Sequence, residues 1–163
     1  MGIHICGAPC CWGVDDITNP NLPTWQRVLR EAHEAGYSAI ELGPNGWIPT
    51  DDIEGVTAEL NKNQLSIVAG TIFDDVLSDD NYEKLLKQVD GICQLITKLP
   101  KLPVEPGQRV PTPYMTVMDW GHDERDYAAG HSDRAPRLDE AGWAKLVSHF
   151  KGLCERANSY GVR

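Results

Sequence analysis

Four strand-sized apolar runs set what this chain can become: "IHICGA" (3–8), "SAIELG" (38–43), "SIVAGT" (66–71) and "YMTVMD" (114–119). Each is followed by a loop and a longer helical pattern. The order β-α-β-α-β-α-β-α predicts parallel pairing, because successive parallel strands need a crossover and the helix supplies it. Apolar stripes at helical spacing fix the faces. Trp25, Val28, Leu29 and Ala32 form the first, and Ile53, Val56 and Leu60 the second. Tyr82, Leu85, Leu86, Val89, Ile92, Cys93 and Ile96 form the third. The fourth runs through Trp143, Leu146, Val147, Phe150, Leu153, Cys154 and Ala157. All four stripes read as core. Ser78 stands where it can cap the third helix, and Asp139 precedes the fourth.

The chain of 163 residues suits one domain, and 41% hydrophobic content supports a sizeable core. Four βα units fall short of a closed (β/α)8 barrel, which takes about 250 residues. A doubly wound sheet is the other parallel architecture. The first βα loop, "GAPCCWGVDD", lacks the G-x-G-x-x-G of its dinucleotide-binding form, and a P-loop is also missing. The closing stretch "CERANSYGVR" starts like the earlier junctions "REAHEAGYSAIELG" and "TAELNKNQLSIVAG". A further strand is therefore expected after it.

A net charge of −9 argues against tracking nucleic-acid phosphates and against an anionic membrane surface. No apolar run approaches the length of a membrane helix, so the chain reads as cytoplasmic. The five cysteines, Cys6, Cys10, Cys11, Cys93 and Cys154, are odd in number and lack C-x-x-C spacing. They read as reduced thiols, with Cys10 and Cys11 as packing residues rather than nucleophiles. The long strand-to-helix loops, "PCCWGVDDITNPNLP" and "WGHDERDYAAGHSDRAPRL", lie where parallel α/β proteins build their sites. The proline-rich segment 97–113 falls at the opposite end and reads as an extended surface connection.

"GAPCCWGVDD", "AGYSAIELGPNGWIPTD", "LSIVAGTIFDD" and "AGHSDRAPRLDEAGWAKLV" together resemble the amino-terminal half of the sugar phosphate isomerase/epimerase family. These are xylose-isomerase-like TIM barrels that include inosose dehydratases. The resemblance spans essentially the whole chain and implies an α/β fold, the (βα)4 half of a TIM barrel, as one partial domain over 1–163. It also implies metal-dependent chemistry on a sugar or polyol beside a keto group. In that family manganese, cobalt or magnesium polarises the ketone so that an acid/base residue can move the neighbouring proton. The family's metal ligands lie on strands five to eight, so no metal ligand and no catalytic residue is assigned in this chain.

The pocket wall can be assigned. Glu41 ends the second strand, either facing the barrel mouth or pairing as a buried acid with a neighbouring strand or loop. Trp12 follows the first strand and either stacks on a sugar ring or packs its own loop. His122, His131 and Arg134 are expected to line the substrate entrance, with Arg134 alternatively bracing the loop against its own aspartates. The loop's Asp119, His122, Asp123, His131 and Asp133 lack a recognised metal spacing and read as solvated.

Two further readings stand beside the enzyme half. One is a non-catalytic half-barrel that pairs with a second copy or another chain through its open edges. The other, a thiol enzyme using Cys10 or Cys11, requires a basic group beside the thiol.

Overall fold

A computed structural model describes residues 3–163 as a mixed α/β chain. Strands β1 (Cys6–Gly7), β2 (Ala39–Ile40), β3 (Ser66–Ile67), β4 (Ala69–Asp74) and β5 (Tyr114–Asp119) alternate with helices, except that only Val68 parts β3 from β4. These are α1 (Trp25–Glu34), α2 (Ile53–Lys62), α3 (Asp79–Ile96), the short α4 (Asp123–Tyr127) and α5 (Glu140–Asn158). A single 3-10 turn, Pro9–Trp12, follows β1.

All strand pairs are parallel, in two small open sheets ordered β1-β2-β3 and β4-β5. The sheets meet at one irregularity. Val68 N–H donates to the Ile40 carbonyl, Leu42 N–H donates to the Ala69 carbonyl, and Tyr114 N–H donates to the Val68 carbonyl. Val68 and Ala69 together oppose Glu41, which makes a bulge that turns over the side-chain alternation of the third apolar run. One run in the sequence thus becomes β3 and β4. The strands follow chain order across the sheet, with no reversal. Met115 N–H donates to the Arg163 carbonyl, which sets the segment after α5 beside β5.

The core lies between the sheet and its helices. Ile40, Ile67 and Ile72 meet Val28, Leu29, Val56, Leu60, Leu85, Val89 and Ile92, all essentially inaccessible to solvent. Each such side chain contributes about 1.5–3 kcal/mol relative to exposure. Gly70 is needed where α3 crosses β4, because a Cβ there would overlap the Ile92 side chain. Asp52 caps α2 through Gly55 N–H, and Asp139 caps α5 through Gly142 N–H.

Three details differ from the sequence reading. Ser78 occupies the cap position of α3, but its hydroxyl makes no capping bond. The Asp75 carboxylate accepts instead from Leu77 and Ser78 N–H, which fixes the turn that leads into the helix. On α5, Trp143 and Val147 are 57% and 61% exposed because their side of the helix faces away from α3. The proline-rich segment is cross-braced rather than simply extended: Gln108 accepts from Glu105 N–H and donates to both the Val110 carbonyl and the Tyr114 hydroxyl. None of the helices among the described residues is long and apolar enough to cross a membrane.

Candidate functional site

The strands leave one sheet face uncovered by helices. Gly70 and Ile72 of β4 pack towards α3, so Ala69, Thr71 and Phe73 point the other way. In register with them stand Thr116 and Met118 of β5. Glu41 reaches the same face, where the Thr71 hydroxyl donates to its Oε2 at 3.4 Å. Cys6 sits opposite Ala39, two residues before Glu41, and burial with the Glu41 charge pushes its thiol pKa up. A raised pKa keeps that thiol protonated. Burial, Cys11 and Asp15 likewise raise the Cys10 thiol, so neither favours thiolate chemistry.

At the carboxyl ends of β4 and β5, Phe73 and Trp120 stack with ring centroids 4.6 Å apart and planes 28° from parallel. The rings are 51% and 46% exposed. Trp120 N–H donates to the Asp74 carbonyl, extending the β4–β5 ladder by one step and fixing the pair on rigid backbone. Gly121, at φ +97°, then turns the chain back over Asp75.

That turn brings His122 to Asp119 and Asp75. His122 Nε2 lies 3.1 Å from Asp119 Oδ2 and 3.7 Å from Asp75 Oδ1. The three ligand atoms lie within 4.8 Å of one another, a spacing compatible with a cation. Most of the cluster's carboxylate oxygens already accept hydrogen bonds. Asp75 Oδ1 takes two backbone N–H groups, and Asp119 Oδ1 takes Val76 N–H. Asp119 Oδ2 accepts from Arg125 Nη1 at 2.9 Å and from His122. A divalent ion there would confront the Arg125 guanidinium, and the residues as placed do not fit one. The cluster instead clamps the loop after β5 onto the loop after β4.

Next door, Asp74 faces the helices. Burial alone would raise its carboxyl pKa, but Lys84, the Asp75 N–H, Gln88 and Asn81 outweigh this and hold it below the ordinary range.

Of the residues assigned to the pocket wall, Glu41 lies on the open face and His122 at its rim. Trp12 turns towards α1, donating its indole N–H to Glu31 Oε2 at 2.8 Å and meeting Tyr37 edge-on. His131 and Arg134 are exposed beyond α4, where Arg134 lies 3.8 Å from its neighbour Asp133. The structure therefore brings Glu41 and His122 to one end of the strands and sets Trp12 in loop packing. Sequence reasoning missed Phe73, Trp120 and Asp75. Strand-end position was the signal for Phe73, but the bulge at Val68 obscured which face it took. No family model matches this chain, and no curated protein matches it.

Proposed function

We propose that the chain forms the (βα)4 amino-terminal half of a xylose-isomerase-like barrel, in a metal-dependent isomerase, epimerase or dehydratase acting beside the keto group of a sugar or polyol. The exposed Phe73–Trp120 stack beside the Glu41–Thr71 pair carries this reading. A polyol ring offers C–H bonds on its faces and hydroxyls around its edge. The aromatic platform suits the faces, and the Glu41 carboxylate and Thr71 hydroxyl suit the edge. Strands in chain order without reversal support a barrel over a doubly wound sheet. The reading assigns the divalent metal, which polarises the ketone, to other strands of the barrel. Within this chain, Glu41 orients a substrate hydroxyl and the aromatic pair holds the ring and excludes water.

Titration calorimetry with a keto-inositol tests the proposal. Saturable binding is expected for the wild type, with loss in Phe73→Ala and Trp120→Ala. Binding unchanged by both substitutions would overturn it. The 163-residue chain is expected to show no manganese-dependent turnover by itself.

A second reading rests on Ile3 and Ile5, 92% and 62% exposed before the β1 edge. An uncovered apolar edge favours pairing with a second copy. Sedimentation equilibrium is expected to show a dimer weakened by Ile5→Lys; a monomer at all concentrations would rule it out.

A further inference from the structure

The turn after β1 holds two thiols that the proposed function does not use. Cys10 and Cys11 are adjacent, free and exposed, although cysteine is among the most buried residue types. In an extended strand, neighbouring side chains point to opposite faces. Here the pair lies in the 3-10 turn Pro9–Trp12, where side chains three apart eclipse one another. Pro9 and Trp12 therefore share the inward side. Pro9 is buried beside Gly43, and Trp12 donates its indole N–H to Glu31. Cys10 and Cys11 take the two remaining directions, about 120° apart and both towards solvent. The backbone beneath them is fixed. Cys11 N–H donates to the Ala8 carbonyl at 3.0 Å, Gly13 N–H donates to the Cys10 carbonyl at 2.9 Å, and Gly13 closes the turn at φ +73°. Burial and then Cys11 head the causes that raise the Cys10 thiol, as thiols held side by side require.

We propose that Cys10 and Cys11 form a dithiol site for a trivalent arsenic compound of the dihydroxyarsine class, held through two As–S bonds. Soft thiol sulfur selects soft centres over the hard cations that carboxylates prefer. The step is a double condensation. Two As–O bonds break, two As–S bonds form, and each hydroxyl leaves as water with the proton of one thiol. Arsenic stays trivalent throughout, so neither an oxidant nor a reductant is needed. Protonated thiols supply the protons that the departing hydroxyls take, which suits the raised Cys10 thiol. The second bond closes within one molecule, at the high effective concentration of an adjacent thiol on an anchored turn, so two thiols hold arsenic far more tightly than one. The site stands apart from the polyol reading, which assigns neither thiol a role.

The test adds phenylarsine oxide, which hydrates to a dihydroxyarsine, to the native reduced chain and reads intact mass, peptide mapping and competition by thiols. One phenylarsenic group per chain is expected, mapped to the peptide that holds Cys10 and Cys11. It is expected to resist an excess of the monothiol mercaptoethanol and to be removed by the dithiol dimercaptopropanol. Cys10→Ser and Cys11→Ser should each weaken binding by about a hundredfold, whereas Cys6→Ser and Cys154→Ser should leave it unchanged. Arsenic mapped to other cysteines, removal by the monothiol, or undiminished affinity in either Cys10→Ser or Cys11→Ser would overturn the proposal. The wild-type mapping and its resistance to the monothiol decide the question even where a variant fails to fold.

Discussion

Asp74→Ala is the substitution that the packing of β4 on α3 makes most informative. The carboxylate collects Lys84 Nζ at 2.7 Å, Asp75 N–H at 2.9 Å, Asn81 Nδ2 at 3.0 Å and Gln88 Nε2 at 3.2 Å. Lys84 is 62% exposed, so its ion pair contributes only about 0–1 kcal/mol. Asn81 keeps its bond to the Asp75 carbonyl after the change, and water replaces part of the rest because the Asp74 side chain is 25% exposed. With hydrogen bonds to a charge worth roughly 1.5–3 kcal/mol each and not additive, the net loss is about 2–3 kcal/mol. In a domain of this size that lowers Tm by about 5–10 °C. The acid limb supplies a second signature. The folded-state pKa of Asp74 is depressed, so its stabilisation is present above the unfolded carboxyl value near ~3.9 and is lost as pH falls through the lower folded value. Urea unfolding followed by circular dichroism from pH 7 to 2 should show Asp74→Ala less stable at neutrality, with a shallower acid decline. A loss under ~0.5 kcal/mol with an unchanged acid slope would refute the reasoning.

Gly70→Ala should destabilise by about 1–3 kcal/mol by overlap with Ile92, read as a lower urea midpoint at constant m. Cys6, Cys10, Cys11 and Cys154 are exposed, whereas Cys93 is buried with its thiol pKa pushed up to about 11 by burial and Asp90. A chromogenic disulfide reagent should therefore label the first four in the native protein and Cys93 only on unfolding. Arg125→Ala should loosen the loop after β5, read as faster amide exchange at 120–127 with β4 and β5 unchanged, because it frees Asp119 from its guanidinium.

Much of the architecture was legible because periodicity reports burial. The fourth apolar run coincides with β5, and the stripe from Leu85 to Ile96 is the buried side of α3. The third run was harder. A bulge depends on how Val68 and Ala69 pair with β2 and β5, which a single run of sequence does not encode. The same pairing decides that Phe73 faces outward, so the aromatic platform stayed hidden while Glu41 could be placed from its position at a strand end. For Trp12 the sequence left ring stacking and loop packing both open. Its partner, Glu31, lies nineteen positions away on α1, and only the fold brings them together.

The most direct measurement is saturation-transfer NMR of a keto-inositol on the chain, with intermolecular Overhauser contacts assigned. The proposed function predicts that ring C–H protons receive saturation from Phe73 and Trp120. Contacts confined to other residues, or no transfer up to the solubility of the ligand, would contradict it.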